Sequence, residues 1–231
     1  MKHKAPPKIT LVGSGNWGST IALIVGRNAG KHKNDSIQKF ACGFSDSLHR
    51  QRYTYTTPLE RGRFGHFTYQ TFLIDKKEGV IRLVSEGIRG LLNIDTAVPM
   101  GANVLRKQRL AVEVKKKWPV LKKSFESDNF RINLTKDSNT VELCGGLKNV
   151  VACAAGFADG LGYGSNTKAA IVQLGLLEII VIVELFYHDS NIQTYFESCG
   201  IADLIATCNS GRNRKICEAF VKTRKSIQDL E

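Results

Sequence analysis

A lysine, a carboxylate and a hydroxyl in the C-terminal part of this chain could together move a proton to and from an alcohol. Lys148 lies in an apolar segment, where its ammonium group either reaches out to solvent or sits in a pocket and exchanges a proton with a substrate oxygen. Asn149 beside it could orient water or substrate, or cap a neighbouring loop. Asp203 and Thr207 are four positions apart, so a helix would place them on one face.

An anion could bind where the next helix begins. Arg212 and Asn213 follow Gly211, whose lack of a side chain predicts a break between two helices. A phosphate bound at this point would meet a guanidinium group and the positive end of a helix dipole. The alternative interpretation of this region is a solvated helix hairpin that binds nothing.

A glycine turn near the start of the chain has the spacing of a dinucleotide fingerprint, Gly13-x-Gly15-x-x-Gly18. It follows the apolar run at 8–12 and precedes an amphipathic helix, and in this context the glycines let the backbone approach a pyrophosphate. Together with the lysine, carboxylate and arginine above, the turn indicates a nicotinamide-dependent dehydrogenase.

These groups must be positioned by two kinds of structure, an α/β half and a helical half. We predict a Rossmann-like parallel sheet domain over residues 1–137, incomplete because residues 45–70 show neither helical nor strand periodicity. Within it we expect a helix over 80–92 and a strand over 96–100. An all-helical domain is expected over 138–231.

The helical half contains the most apolar stretch of the chain, residues 169–186. It carries Gln173, Glu178 and Glu184, which a bilayer interior would accept only at a cost. We therefore expect a buried helix and no membrane span. The glycines at 156–164 predict a glycine-rich link before this helix.

The composition is that of a reduced globular protein with a strongly basic balance. Of 231 residues, 42% are apolar, and the formal net charge is +12. The six cysteines form no Cys-x-x-Cys pair, which favours small core residues in a cytosolic protein, and we expect no signal peptide because the first apolar run leads directly into the glycine motif. The basic stretch at 106–123 could bind nucleic acid or anionic lipid, but a solvated helix face is the simpler interpretation, and we expect no nucleic-acid partner.

Several separate motifs resemble those of the eukaryotic cytosolic NAD-dependent glycerol-3-phosphate dehydrogenases. They are Val12-Gly13-Ser14-Gly15-Asn16-Trp17-Gly18-Ser19, Pro99-Met100-Gly101-Ala102-Asn103, Val141-Glu142-Leu143-Cys144-Gly145-Gly146-Leu147-Lys148-Asn149-Val150-Val151-Ala152, Ala155-Gly156-Phe157-Ala158-Asp159-Gly160-Leu161-Gly162, Asn166-Thr167-Lys168-Ala169-Ala170, Ser198-Cys199-Gly200-Ile201-Ala202-Asp203-Leu204 and Gly211-Arg212-Asn213-Arg214-Lys215. The likeness is dense over 8–28 and 129–231 and patchy between them.

The resemblance implies reduction of dihydroxyacetone phosphate by NADH, and the reverse reaction, in a cytoplasmic homodimer. Lys148 would donate and accept the proton at the substrate oxygen. The substrate-binding residues by resemblance are Asn149, Asp203, Thr207, Arg212 and Asn213. The residues implied to bind NAD are Gly13, Ser14, Gly15, Asn16, Trp17, Gly18, Phe44 and Arg212, and no metal site is implied.

Three departures from the family leave other interpretations open. Asp75 stands where the family has a lysine near the substrate, residues 45–70 lack the middle strands, and the later family helices have no counterpart before position 231, so the helical domain is expected to be truncated. The alternative is a non-catalytic relative that keeps part of the fold and binds a partner. A third, weaker hypothesis is a basic binder of nucleic acid or lipid acting through 106–123.

Overall fold

The structure is a computed structural model in which two units can be described. The described residues are 8–12, 63–67, 72–75, 79–93, 95–102, 107–111, 118–127 and 131–230. One unit comprises Met1–Pro99 and Leu110–Ser138, and the other comprises Met100–Arg109 and Asn139–Glu231.

The described residues include seven strands in two sheets. They are β1 (Lys8–Val12), β2 (Arg63–Phe67), β3 (Phe72–Asp75), β4 (Val80–Leu83), β5 (Thr96–Met100), β6 (Lys107–Ala111) and β7 (Arg131–Thr135). Five of them make one sheet in the order β1-β2-β5-β6-β7. β1 pairs with β2 in parallel, Lys8 lying opposite Arg63, and β2 pairs with β5 in parallel. β5 is buried from Thr96 to Pro99, as expected for an apolar strand inside a parallel sheet, and confirms the strand predicted there.

The second sheet corrects the prediction of one helix over 80–92. Residues Val80–Leu83 form β4, which pairs antiparallel with β3, and only Val84–Leu92 forms a helix, α1. Asp75 is the last residue of β3 and lies opposite Val80. A further helix, α2 (Trp118–Phe125), precedes β7.

Helices dominate the second unit. They are α3 (Ser138–Gly160), α4 (Ser165–Phe186), α5 (Ile192–Tyr195), α6 (Asp203–Ser210) and α7 (Arg212–Thr223), with a π-helical turn at Ser198–Ala202 and a 3-10 turn at Ile227–Asp229. α3 carries much of the core, because Val141, Leu143, Ala152 and Ala155 are fully buried. Such a helix, apolar on most of its circumference, is stable only when other elements surround it.

The burial of α4 differs from the sequence prediction. The helix forms as expected, but only Ile179 and Val183 are buried along its length. Its exposed apolar residues Leu174, Leu177, Val181 and Leu185 follow one another at intervals of three or four and are 51–66% exposed. Hydrophobicity predicted the helix; whether its apolar side is covered depends on packing partners, which periodicity does not specify.

Length and composition alone would let two of the described helices cross a membrane. They are Ser138–Gly160 and Ser165–Phe186. In the most apolar part of each helix, 61% of the first and 11% of the second is buried inside the protein. Core helices of soluble proteins satisfy the same criterion, and the burial of α3 is that of a core helix.

Two glycines predicted to lie in a link instead lie inside α3, where they allow α7 to approach closely. A Cβ on Gly156 would be 2.2 Å from the backbone oxygen of Arg214, and one on Gly160 would be 2.7 Å from Cβ of Val221. The two helices therefore meet almost backbone to backbone, which only residues without a side chain permit.

Candidate active site

An ion pair between α3 and α6 brings together two of the residues predicted to act on substrate. Nζ of Lys148 donates a hydrogen bond to Oδ2 of Asp203. The side chains are 18% and 10% exposed, so the pair is largely shielded while still reachable from solvent. Charges removed from water to this degree are stable only when paired, which fixes both side chains in direction.

A tight turn places Asp203 at the start of α6. The π-helical turn at Ser198–Ala202 precedes it, and within that turn a Cβ on Gly200 would lie 2.1 Å from the backbone oxygen of Tyr195. The close approach requires glycine at this position. As the first residue of α6, Asp203 also stabilises the positive end of the helix dipole.

The last residue of β5 and the segment after it contact the same region, and they were not assigned a role from the sequence. Sδ of Met100 occupies the space that a side chain on Gly145 would need, at 2.6 Å from the Cβ position. The backbone N–H of Ala102 donates to the carbonyl oxygen of Ser198 at 3.2 Å. These contacts fix the chain beside the helical turn of α3 that precedes Lys148 and beside the turn that leads to Asp203.

Thr207 and Asn149 bond within their own helices. Oγ1 of Thr207 donates to the backbone oxygen of Asp203 at 2.6 Å, which places its oxygen on the Asp203 face of α6. Nδ2 of Asn149 donates to the backbone oxygen of Gly145 at 3.5 Å, a long bond that a ligand could replace. Among the described residues, neither side chain hydrogen-bonds to Lys148.

Arg212 and Asn213 begin α7, as the glycine break predicted. Gly211 is the N-cap residue, and no side chain caps the helix within the described part of the chain. A Cβ on Gly211 would lie 2.4 Å from the backbone oxygen of Thr207, so glycine allows α6 and α7 to be joined by one residue. Arg212 is exposed and has no ion-pair partner among the described residues, and Asn213 is half-buried.

Sequence reasoning missed a second charged cluster in this unit. Oδ2 of Asp159 accepts hydrogen bonds from Nζ of Lys168 at 2.8 Å and from Nε of Arg214 at 2.7 Å. Burial raises the pKa of Asp159, but the hydrogen bonds from Lys168 and Arg214 outweigh it and hold that pKa below its ordinary value. All three residues lie inside the motifs that carry the family resemblance. The sequence signal that could have indicated the cluster was Asp159, a carboxylate on the same face of α3 as Lys148.

Of the residues predicted to hold the dinucleotide, Gly13 to Gly18 and Phe44 lie outside the described residues, whereas Arg212 is the first residue of α7. The described strand β1 ends at Val12, directly before the glycine motif, and runs parallel to β2. Among the described residues, no group of three His, Cys, Asp or Glu side chains could hold a metal ion.

Comparisons with known proteins converge on one family. Residues 137–231 match the family described as NAD-dependent glycerol-3-phosphate dehydrogenase C-terminus. The chain is 40% identical to the probable glycerol-3-phosphate dehydrogenase 2 of Caenorhabditis elegans, over 98% of this chain and 76% of that one. It is 35% identical to the cytoplasmic NAD(+) glycerol-3-phosphate dehydrogenase of Mus musculus, over 98% of this chain and 82% of the relative.

Comparison with solved structures identifies the same family. The glycerol-3-phosphate dehydrogenase structure from Saccharomyces cerevisiae superposes with a TM-score of 0.78 at 26% identity, over 97% of this chain and 84% of that one. The alignment with the nematode relative extends over 299 residues although this chain has 231, so the relative carries residues within the aligned region that this chain lacks.

Proposed function

The chain belongs to the NAD-dependent glycerol-3-phosphate dehydrogenase family, and we propose that it interconverts dihydroxyacetone phosphate plus NADH and sn-glycerol 3-phosphate plus NAD. The observation that carries the proposal is the largely buried contact between Lys148 and Asp203. An ammonium group held in one direction by a carboxylate suits proton transfer to an oxygen placed beside it.

In this reaction Lys148 donates its proton to the carbonyl oxygen of dihydroxyacetone phosphate as that oxygen gains charge. In the reverse direction the neutral amine accepts the proton of the C2 hydroxyl. Asp203 keeps Lys148 oriented and balances its positive charge between turnovers, which the contact between Nζ and Oδ2 supports. Thr207 and Asn149 orient the substrate, each from a side chain whose present hydrogen bond is to its own helix.

The phosphate of the substrate binds at the start of α7. Arg212 supplies a guanidinium group that has no ion-pair partner among the described residues, and Asn213 supplies an amide. The uncapped N–H groups of the first turn of α7 add donors, and the helix dipole adds positive potential. A dianionic phosphate satisfies all three at once.

NAD is the cofactor of this family, and when bound it supplies the acceptor and donor of hydride. We propose that the glycine motif at 13–18, which follows β1 in the sequence, would hold it together with Phe44 and Arg212. The order of β1, β2 and β5 in one parallel sheet supports a Rossmann-like domain at this position. We therefore assign substrate binding to residues 138–231 and cofactor binding to residues 1–137, with Arg212 contributing to both.

We further propose that the protein is a cytoplasmic homodimer. Free cysteines throughout the described residues, three of them buried, suit a reducing compartment. The exposed apolar stripe of α4 requires a packing partner that removes it from water; it consists of Leu174, Leu177, Val181 and Leu185. Glu178 lies beside the stripe on the same helix, which disfavours lipid and favours a protein partner.

The proposed activity is tested by mixing the purified chain with NADH and dihydroxyacetone phosphate and following NADH absorbance. Lys148→Met removes the proton donor while keeping the volume of the side chain. We expect it to lower kcat by about 10²- to 10⁴-fold, the usual contribution of one general acid.

Lys225→Met is the matched control, because Lys225 is an exposed lysine of the same unit. It should keep the wild-type kcat. The proposal is wrong if the folded wild-type chain does not consume NADH, or if Lys148→Met does so as fast as the wild type.

A further inference from the structure

The cluster around Asp159 joins three helices and has no part in the chemistry described above. Asp159 lies near the end of α3, Lys168 in the first turn of α4 and Arg214 in the first turn of α7. Their side chains are between 15% and 18% exposed, so the cluster is as shielded as the pair of Lys148 and Asp203. Glu218, one turn along α7, binds the other side of Arg214 at 2.7 Å.

The two ion pairs of α3 are arranged as a clamp. Asp159 follows Lys148 by eleven positions, which is three helical turns, so both side chains leave the same face of α3 about 16 Å apart. Their partners Asp203 and Arg214 are also eleven positions apart, with the charges reversed. The segment from α6 through Gly211 to α7 is thus held to α3 at two points.

The phosphate-binding residues of the proposed function lie between these two points. Arg212 and Asn213 directly precede Arg214 in the first turn of α7. That turn is in backbone contact with α3, since a Cβ on Gly156 would be 2.2 Å from the oxygen of Arg214. The backbone contact at Gly156 limits the distance between α3 and α7 but leaves α7 free to rotate about its own axis. The hydrogen bond from Nε of Arg214 to Asp159 fixes that rotation for the first turn of α7.

We propose that Asp159 is a positioning residue for phosphate binding: by holding Arg214, it sets the direction in which Arg212, Asn213 and the first N–H groups of α7 face the substrate. The inference rests on the proposed function, because it takes Arg212 as the phosphate ligand. Lys168 and Arg214 together offset the negative charges of Asp159 and Glu218, so the cluster is close to neutral and the positive potential at the first turn of α7 comes from Arg212 and the helix N–H groups.

The test is the dissociation constant of dihydroxyacetone phosphate, measured by calorimetry without turnover. Asp159→Asn keeps the shape of the side chain and removes its charge, and we expect Kd to rise roughly ten- to hundredfold as the ligand groups lose their direction. Asp159→Glu should recover part of the affinity. Asp189→Asn, an exposed carboxylate of the same unit, should leave Kd unchanged.

A double-mutant cycle separates positioning from general stability. In an Arg212→Met background, Asp159→Asn should cause a clearly smaller loss of affinity than in the wild type, because the guanidinium group that it positions is gone and only Asn213 and the N–H groups remain. An equal loss in both backgrounds, an unchanged Kd in Asp159→Asn, or a wild type that does not bind dihydroxyacetone phosphate would overturn the inference.

Two further comparisons keep the outcomes distinct. If Asp159→Asn does not fold, Asp159→Glu and Arg214→Lys keep the charges but alter the geometry, and either must weaken binding for the inference to stand. A wild type that binds dihydroxyacetone phosphate but does not oxidise NADH would refute the proposed function while the affinities still decide the role of Asp159.

Discussion

Gly156→Ala adds one methyl group at the contact between α3 and α7. The new Cβ would lie 2.2 Å from the backbone oxygen of Arg214 and 2.9 Å from Cβ of Cys217, where ordinary contact begins at 3.4 Å. A backbone oxygen cannot rotate away as a side chain does, so the helices themselves must separate. The substitution is therefore a direct test of the backbone-to-backbone packing.

The net effect is a difference between two opposing contributions. Overpacking lowers the free energy of unfolding by about 1–3 kcal/mol, and we expect a clash with backbone to lie at the upper end, about 3 kcal/mol. Alanine in place of glycine in a helix interior contributes about 1 kcal/mol in the other direction. A loss of about 2 kcal/mol remains, which lowers Tm by about 4–8 °C for a chain of this size.

Thermal unfolding followed by far-ultraviolet circular dichroism measures the effect, with Gly87→Ala as the matched control. Gly87 lies inside α1, and a Cβ there would meet nothing within 4 Å. The control gains helix propensity without a clash, so its Tm should rise by about 2–4 °C. A Gly156→Ala variant that melts at or above the wild-type temperature would refute the packing described between α3 and α7.

Two further predictions concern acid and association. The folded-state pKa of Asp159 is depressed, so its contribution to the free energy of unfolding should be complete above the ordinary pKa of 3.8 and lost as pH falls through the lower folded value. Urea unfolding at neutral and acid pH measures this: the free energies of unfolding of the wild type and of Asp159→Asn should differ at neutral pH and converge in acid. Leu177→Lys places a charge in the middle of the apolar stripe of α4 and should convert a dimer to a monomer in sedimentation; an unchanged mass would place the dimer contact elsewhere.

The parts of the site that were predictable are those with a local signal. Gly211 marks the break between α6 and α7, and in the structure one helix ends at Ser210 and the next begins at Arg212. The resemblance selected Lys148 and Asp203, and the structure places them in contact although they are far apart in the chain. Neither residue alone carried a signal that distinguished it from a solvated side chain.

What failed depended on partners distant in the sequence. The short segment Val80–Leu83, apolar except for Arg82, fits a helix or a strand equally, and its antiparallel pairing with β3 selects the strand. Gly156 and Gly160 were taken for a link because glycine weakens isolated helices, whereas the proximity of α7 makes glycine necessary inside α3. The exposure of α4 likewise depends on what packs against it.

The equal spacing of the two ion pairs of α3 has a consequence for the order of folding. Each pair joins residues 55 positions apart. Closing a flexible loop of that length costs about 3.5 kcal/mol beyond a constant. Once Lys148 meets Asp203, the path from Asp159 to Arg214 runs along helices already in place, so the second pair closes at little further cost. A refolding chain should therefore regain helicity first and affinity for its ligand later, in one cooperative step.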